Sequence, residues 1–529
     1  MKFKEICVTG EEVERKYHFS ALCSKLIEAS GIDEDKIKEL SSVPQLTTSQ
    51  AQCVLDCVNR ILKARENREK VFVGGDYDAD GICSTAIMKY TLDKLGIQNG
   101  YYIPDRLKEG YGLQSSTISL AHEKGYSLLI TVDNGVKCQK QIVLAHELEM
   151  DVIVTDHHVI EETVPADIVV HPDYMEDRYS TLSGAGVALQ ISRHLIGDDA
   201  TLTALAGVAA IGDVMPLWKE TRAIVYNCLQ TLKQGIPSSL VSLFDNRNTI
   251  NVTSVAFQIV PKLNAIARME DTSNVNMLVP FLLETRDYGI AKYVQQINAV
   301  NNSRKALSRS MTLKAESLIE DTSFIVLYDE SFKQGLSGIV AGRLAHEYHK
   351  PSLIFSSNGE ELVGSARSVE GLNIYDFFSD IQSIIRFGGH AMAAGITIAK
   401  DSYTTFVQEV ERKMVSMEFT CEIPEEKSVV IDASELTLEN CMELESLSPL
   451  PKELENIRFC VKNLPSFSIQ KWPKVTKYHF NSSCGGFDGL VFASEKIPCL
   501  ENPVSVTGKI SINRYRNMIN PQIQIEEMQ

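Results

Sequence analysis

Several features are missing from this 529-residue sequence, and each absence excludes a class of protein. No apolar run reaches the roughly 18 residues that a membrane-spanning helix needs, so we expect no membrane contact. The N-terminal segment MKFKEICVTGEEVERK is too polar for a secretory signal. The 12 cysteines are scattered, and the pair Cys53 and Cys57 has no second pair at zinc spacing. We therefore expect reduced thiols and a cytoplasmic protein without a zinc site.

The sequence also lacks tandem repeats, low-complexity tracts and an excess of basic residues. Its net charge is −17, which at first argues against a nucleic-acid partner, because affinity for a phosphate backbone comes from Lys and Arg. Two considerations reduce this conflict. A basic track can be local in an acidic protein, and two bound divalent ions would add about four positive charges at an acidic cluster.

The segment VFVGGDYDADGICSTAI, residues 71–87, places three aspartates directly after a short apolar run: Asp76, Asp78 and Asp80. Carboxylates this close repel one another, and a hard divalent cation relieves that repulsion. An EF-hand loop is one alternative, but position 12 would need a Glu and is Ile87. A solvated acidic turn is the plainer alternative, since carboxylates are common in turns.

Three further segments place possible metal ligands after apolar runs. SLLITVDNG ends on Asp133, DVIVTDHH ends on Asp156, His157 and His158, and LAGVAAIGDVMPL contains Asp213 before a proline. Amphipathic, helix-length segments alternate with strand-like runs, which predicts an α/β fold with a parallel sheet. Ligands gather at the carboxyl ends of such strands. We therefore expect Asp78, Asp80, Asp133 and His157 to converge, although each alone could be a helix cap or a structural group.

The motifs DYDADG, VDNG, DHH and GDVMPL resemble, in order and spacing, those of the DHH phosphoesterases, and in particular the RecJ-type single-stranded-DNA exonucleases. The segments YYIPDRLKEGYGL, LSGAGVALQ and IVPKLNAIARMED resemble further motifs of that group. The resemblance implies two Mn²⁺ or Mg²⁺ ions bridged by Asp133, and a His158 that faces the scissile phosphate. The resemblance implies that Asp78, with Asp76, binds one ion, and that the other ion is bound by Asp80, His157 and Asp213. It implies that two arginines bind the phosphate: Arg106 and Arg268.

A second block near residue 322 resembles the small substrate-binding domain attached to DHH proteins. Its SARS and GGH segments offer hydroxyls, a guanidinium, close backbone approach and an imidazole, all suited to phosphate. Tight turns and core packing would explain the same glycines and alanines. Lys333 stands where the family usually has a histidine. The predicted substrate-binding residues are Ser365, Arg367, Ser368, Gly388, Gly389, His390 and Lys333.

A third block has the pattern of short strands, which predicts a C-terminal OB-like β-barrel that binds single strands. Residues 450–529 contain 10 Lys and Arg against 7 Asp and Glu. Aromatic residues alternate with these cations, although any one ring can equally belong to the core. The predicted domains are a helical N-terminal extension (1–70), the DHH catalytic domain (71–285), a linking helix (286–320), the DHH-associated domain (321–400), a connector (401–426) and the OB-like domain (427–529).

Taken with the resemblance, these patterns predict a 5′–3′ exonuclease for single-stranded DNA that serves DNA repair and recombination. We expect a monomer whose partners are single-stranded DNA and a single-strand-binding protein or a helicase. A DHH phosphodiesterase acting on short RNA or cyclic dinucleotides is one alternative, but such enzymes usually lack a third β domain. A non-catalytic replication scaffold is the other alternative. The sequence contains the family's complete set of metal ligands, which argues against that alternative.

Overall fold

The structure is a computed structural model that describes residues 3–110, 112–247, 249–269, 273–417, 419, 421, 425–481, 485–493, 497–515 and 518–529, except for the side chain of residue 515. The chain forms two compact units. The larger contains residues 48–215 and 228–424, and the smaller contains residues 1–47, 216–227 and 425–529. Within the described part of the chain, no helix combines the length and the apolar character required to cross a membrane.

The described residues form strands at β1 (Phe3–Ile6), β2 (Val71–Gly74), β3 (Asn99–Tyr102), β4 (Leu128–Val132), β5 (Asp151–Thr155), β6 (Ile168–Val170), β7 (Ile325–Tyr328), β8 (Ser352–Asn358), β9 (Glu361–Arg367), β10 (Ile384–His390), β11 (Ala393–Ala399), β12 (Glu426–Asp432), β13 (Arg458–Lys462), β14 (Phe467–Lys471), β15 (Val475–Phe480), β16 (Phe487–Phe492), β17 (Val506–Tyr515) and β18 (Met518–Met528).

The α-helices are α1 (Glu11–Tyr17), α2 (Ala21–Ser30), α3 (Glu34–Leu40), α4 (Gln52–Asn67), α5 (Ala79–Lys94), α6 (Ser115–Glu123), α7 (Gln139–Glu147), α8 (Gly184–Ile196), α9 (Ala200–Gly212), α10 (Lys219–Lys233), α11 (Ser238–Val241), α12 (Val252–Ser254), α13 (Val260–Arg268), α14 (Leu278–Leu282), α15 (Asp287–Glu316), α16 (Gln334–Tyr348), α17 (Ile374–Phe378), α18 (Tyr403–Met417), α19 (Leu438–Ser446) and α20 (Lys452–Glu455). A π-helical segment, Val255–Ile259, precedes α13.

The first sheet of the larger unit is entirely parallel, with the order β3-β2-β4-β5-β6. Its central strand β4, LLITV, is buried along its whole length, because helices cover both faces of a parallel sheet. Helix α5 packs against α8 and α9, while α6 packs against α7. The α/β fold predicted from the sequence is therefore confirmed, and β2, β4 and β5 end at the predicted acidic segments.

The second sheet of the larger unit has the order β10-β11-β9-β8-β7. Strands β7 and β8 are parallel, and the remaining pairs are antiparallel. A phenylalanine-rich core that includes Phe324, Phe377 and Phe406 lies beneath it. The 30-residue helix α15 lies in the chain between the parallel sheet and this smaller α/β domain, within the range 286–320 of the predicted linking helix.

The smaller unit contains a mixed eight-stranded sheet, with the order β1-β12-β13-β17-β18-β16-β15-β14. The N-terminal segment was expected to be helical, but β1 pairs in parallel with β12 and the segment joins the C-terminal core. No pair among the described strands joins β14 to β1, so the OB-like barrel stays a prediction.

The aromatic residues of the predicted strand-binding domain are mostly core residues. Phe459, Tyr478, Phe480 and Phe487 are buried, and three of these rings stack on one another. Trp472 is 50% exposed. Of the rings named in the charged region, it is therefore the best candidate for stacking on a base.

Candidate metal centre

Asp76, Asp78 and Asp80 lie in the turn between β2 and α5. Asp78 is the N-cap of α5, and its Oδ1 accepts hydrogen bonds from the backbone N–H groups of Asp80 and Gly81 at 3.0 and 3.2 Å. A capping aspartate needs only one oxygen for this role. The second carboxylate oxygen of Asp78 can therefore bind a metal ion while the first caps the helix.

Asp80 is held by the N-terminus of α8, about 100 residues further along the chain. Its two carboxylate oxygens accept hydrogen bonds from the hydroxyl of Ser183 and from the backbone N–H groups of Gly184 and Ala185, at 2.8–3.0 Å. The N-terminus of a helix has unpaired N–H groups and a partial positive charge, both of which favour an anion. These bonds fix the carboxylate of Asp80 at the site.

Asp133 follows β4 directly and adopts φ 61°, an uncommon conformation for a residue other than glycine. Gly184 packs against it so closely that a Cβ at Gly184 would lie 2.5 Å from Asp133 Oδ1. The LSGAGVALQ motif therefore has a steric purpose, because any side chain at this glycine would displace the carboxylate of Asp133.

His157, after β5, lies at the centre of the acidic cluster. Its Nε2 is 3.2 Å from Asp133 Oδ1 and 3.6 Å from carboxylate oxygens of Asp80 and Asp213. Asp213 is the C-cap of α9. The predicted convergence of these residues is present in the structure, and it includes Asp213.

Three overlapping sets of side chains could each hold a metal ion. Within each set, the ligand atoms lie within 4.8 Å of one another. Asp133 and His157 each belong to two of these sets. The sets are Asp76, Asp78 and Asp133; Asp80, His157 and Asp213; and Asp133, His157 and His158.

Asp156 positions the two histidines rather than joining the cluster. Its Oδ1 accepts hydrogen bonds from the backbone N–H groups of His157 and His158 and lies 2.8 Å from Nδ1 of His158. Its Oδ2 accepts from the N–H of Val136. This buried carboxylate fixes the orientation of the His158 ring, as outer-shell carboxylates do around metal sites.

The electrostatics of the cluster favour a bound cation. Burial and the neighbouring carboxylates raise the pKa values of Asp76, Asp78 and Asp133, and they raise the pKa of Asp213 to about 7. Burial lowers the pKa of His157 and keeps its imidazole neutral, as a metal ligand must be. Oδ1 of Asp76 is buried without a hydrogen-bond partner among the described residues. An oxygen-rich set with one or two imidazoles fits Mn²⁺ or Mg²⁺.

His158 differs from His157 in its charge. Burial lowers its pKa, but the hydrogen bond to Asp156 and the surrounding carboxylates outweigh this effect and raise the pKa to about 9. A protonated imidazole beside the cluster can donate a proton or a hydrogen bond to an anion. A role for His158 at the phosphate stays a prediction.

A basic cluster lies close to the acidic one. The guanidinium of Arg106 is stacked 4.7 Å above the ring centroid of Tyr77, which lies between two of the aspartates. Arg268, at the end of α13, is partly buried, and desolvation together with the charges of Arg106, Arg367 and Arg304 lowers its pKa to about 10. Cations held this close repel one another, and a phosphate group would relieve the repulsion.

Arg367 is also part of this basic cluster. Burial and then Arg106 lower its pKa, and its Nη1 donates to the carbonyl of Ala366 at 2.7 Å. The structure therefore brings together Arg106, Arg268 and Arg367, which the sequence suggested from three separate segments. Ser365 precedes Arg367 on β9 and is partly exposed.

The other residues predicted to bind substrate occupy different settings. The hydroxyl of Ser368 is buried and donates to the carbonyl of Leu372, so it stabilises a turn. Gly388, Gly389 and His390 lie on the exposed edge strand β10. Gly389 has φ 152°, and a Cβ there would lie 2.4 Å from the carbonyl oxygen of Ala393. Lys333 is exposed at the N-cap of α16.

Four residues of the site had no assigned role in the sequence interpretation. Asp156 opens the DHH motif, directly before the two histidines, and the pattern did not reveal its outer role. Ser183 and Ala185 lie in a motif that had no assigned purpose. Tyr77 lies between two aspartates, and nothing in the local pattern indicated that its ring would support a guanidinium.

Comparison with known proteins agrees with this architecture. Residues 70–212 match the DHH family, N-terminal domain, and residues 321–416 match the DHHA1 domain. Together with the parallel sheet and the acidic strand ends, these matches define a DHH-type protein. The single-stranded-DNA-specific exonuclease RecJ of Haemophilus influenzae is 32% identical over 422 residues, which cover 73% of each chain. The chain belongs to the RecJ family of single-stranded-DNA-specific exonucleases.

Other relatives support the same assignment. RecJ of Bacillus subtilis is 30% identical over 89% of this chain, which spans 63% of that protein's length. RecJ from Thermus thermophilus, solved in complex with Mn²⁺, has the same fold, with a TM-score of 0.83 and 23% identity over 100% of this chain and 80% of the other. A RecJ exonuclease bound to manganese superposes on 71% of this chain and 97% of its own, with a TM-score of 0.62 and 27% identity.

Proposed function

We propose that this protein is a metal-dependent exonuclease that hydrolyses phosphodiester bonds of single-stranded DNA from the 5′ end. The observation that most supports this function is the convergence of five carboxylates and two histidines in one cluster, next to three partly buried arginines. Acidic groups bind cations and arginines bind phosphate, so the pair of clusters suits a phosphodiester substrate.

Asp133 belongs to two ligand sets, and we propose that it bridges two divalent ions, Mn²⁺ or Mg²⁺. Asp76 and Asp78 complete the first site; Asp80, His157 and Asp213 complete the second. When bound, such a pair of ions acidifies water and stabilises the attacking and leaving oxygens of a displacement. The protein contributes the fixed positions of these ligands, which the α8 N-terminus and Asp156 maintain.

The basic residues act on the substrate. Arg106, Arg268 and Arg367 neutralise the charge of the scissile phosphate and its neighbour, and their existing positions remove the need to reorganise during reaction. His158 lies beside the same phosphate and donates a hydrogen bond or a proton to it. Ser365, His390 and Lys333 are assigned to the outer part of the substrate site.

We further propose that the protein acts in DNA repair and recombination in the cytoplasm, as a monomer, with a helicase or a single-strand-binding protein supplying the strand. The alternative substrates, short RNA or cyclic dinucleotides, are less well supported because the chain has an additional mixed sheet beyond the two matched domains. A scaffold without catalysis is disfavoured because the carboxylates and imidazoles of the proposed metal centre lie close enough to one another to hold ions.

Digestion of end-labelled substrates tests the proposal. Single strands and duplexes labelled at the 5′ or the 3′ end are incubated with Mn²⁺, Mg²⁺ or EDTA. We expect successive shortening of 3′-labelled single strands, immediate release of the 5′ label, little digestion of duplexes and no reaction in EDTA. Release of the 3′ label first, or equal cleavage of RNA and duplexes, would contradict the proposal.

A further inference from the structure

A basic groove lies between α15 and α16, and none of the described residues that line it is a predicted metal ligand. Its volume is about 520 Å³, which is within the range of small-ligand sites. Four cationic side chains line it, and none of the described lining residues is acidic or aromatic: Arg304, Lys305 and Arg309 from α15, and Arg343 from α16. In a chain of net charge −17, such a concentration of positive charge is unusual.

The spacing along α15 places these groups on one side of the helix. Arg304 and Ser308 are four residues apart, as are Lys305 and Arg309, so each pair lies on a common face. The helix rises about 1.5 Å per residue, and Arg304 and Arg309 are therefore separated by about 7.5 Å along its axis. This separation is comparable with that of neighbouring phosphates in an extended strand.

The cations of the groove are largely available to a ligand. Lys305 and Arg309 are exposed, and neither forms an ion pair with a described carboxylate. Arg343 lies 3.8 Å from Glu347, and both side chains are about half exposed, so this pair is weak. Arg304 donates to Asn301 Oδ1 at 3.2 Å, which orients its side chain.

The groove begins next to the active site. Ile339 of α16 lines the groove, and the preceding residue, Gly338, packs so closely on Arg367 of the basic cluster that a Cβ there would lie 2.8 Å from Arg367 Nη2. From Arg304 the groove follows α15 to Leu313. A nucleotide strand or product that leaves the basic cluster would meet these cations next.

We propose that this groove binds phosphate groups of nucleotides outside the scissile position, either those of the strand itself or that of a released 5′-mononucleotide. The inference rests on the proposed nuclease function and adds a second phosphate site to it. Since none of the described residues that line the groove is aromatic, binding there is independent of base sequence and sensitive to salt.

The test compares the double variant Lys305→Ala/Arg309→Ala with the matched control Lys63→Ala/Arg65→Ala. The control also removes one lysine and one arginine from an exposed helix face of the same unit. Neither pair touches the metal ligands. Both proteins are assayed with Mn²⁺ on a long single strand and on a trinucleotide, over a range of salt concentrations, and with added 5′-mononucleotide as an inhibitor.

If the groove binds the strand, kcat/KM for the long strand falls in the groove variant and its slope against log salt becomes shallower by about 1.4, at about 0.7 for each phosphate that the variant no longer neutralises. If it binds the product, inhibition by the mononucleotide weakens instead. Cleavage of the trinucleotide stays at the wild-type rate in both cases. The inference is overturned if the groove variant matches the control both in long-strand cleavage and its salt dependence and in inhibition by the mononucleotide. Absence of cleavage by the wild-type protein instead overturns the proposed function.

Discussion

In both the acidic and the basic cluster of the site, burial and neighbouring groups of like charge shift pKa values, in opposite directions. In the acidic cluster, burial and like charges raise the pKa of Asp213 to about 7, and in the basic cluster they lower the pKa of Arg268 to about 10. Each cluster therefore stores repulsion that a ligand of the opposite charge relieves. The comparison indicates that metal ions compensate the first cluster and substrate phosphates the second, so substitutions in the two clusters should affect different ligands.

The largest effect is expected from Asp133→Ala. This change removes a ligand shared by two of the metal-binding sets, so both ions should bind poorly and hydrolysis should be abolished. Turnover of a single strand with Mn²⁺ is the measurement. The alanine keeps the Cβ against which Gly184 packs, so the fold should be preserved.

Glu162→Ala, in the exposed loop beyond β5, is a suitable control for the loss of one carboxylate near the site. We expect it to retain the wild-type rate. Near-normal turnover by a folded Asp133→Ala protein would mean that the acidic cluster does not act through a shared ligand.

A smaller effect is expected from Arg367→Ala, which tests the basic cluster. Loss of a charged hydrogen bond to phosphate costs about 1.5–3 kcal/mol, or roughly 10- to 100-fold in KM. Affinity for Mn²⁺, measured by calorimetry, should not change. Arg386→Ala, on β10 of the same domain and 62% exposed, is the matched control. A loss of Mn²⁺ affinity with normal DNA binding would remove the distinction between the two clusters.

Tyr77 links the clusters, and its ring supports Arg106. A stacked cation contributes about 0.5–2 kcal/mol, so Tyr77→Leu should raise KM by roughly 2- to 30-fold, while Tyr77→Phe keeps the ring and should behave like the wild type. A double-mutant cycle with Arg106→Ala measures the coupling between the two side chains. Additive effects of the two substitutions would show that the ring does not position the guanidinium.

The smallest effect concerns pH. Asp213 has its pKa raised from 3.8 to about 7 by burial and then by Asp80 and Asp78. A raised pKa means that its contribution to the stability of the metal-free protein is full below about pH 4 and is lost as the pH rises through 7. The gain in Tm on adding Mn²⁺ should therefore be larger at pH 8 than at pH 5.5.

Asp213→Asn removes this titration and should reduce the pH dependence of the Mn²⁺-induced gain in Tm. Differential scanning calorimetry in EDTA and in Mn²⁺ measures both proteins. An equal gain at the two pH values for the wild type would show that repulsion among the carboxylates is not what the metal relieves.

The acidic cluster was largely predictable from the sequence because each of its main ligands follows a recognisable strand within a short segment. Asp78, Asp133 and His157 each follow a buried strand within a few residues, and parallel strands bring such positions to one edge. The family motifs then added Asp213, Arg106 and Arg268, which periodicity alone would not have joined.

The features that escaped prediction depend on contacts between distant segments. The bonds from Ser183 and Gly184 to Asp80 cross about 100 residues, and β1 pairs with β12 across more than 400. Alternation identifies a strand but not its partner, so a mixed sheet assembled from both ends of the chain cannot be deduced from local pattern.

This assembly alters how the C-terminal strands should be tested. Residues 425–529 share one core with residues 1–47, so truncation near residue 424 would expose Leu22, Leu26 and their neighbours. A point substitution of the exposed Trp472 examines strand binding without that damage.

The central claim is that the acidic cluster holds two divalent ions. Isothermal titration of the metal-free wild-type protein with Mn²⁺ measures this directly, with protein concentration fixed by amino-acid analysis. The account predicts a stoichiometry of about two ions per chain, as expected for a two-metal site. A stoichiometry of one, or no saturable binding, would contradict it.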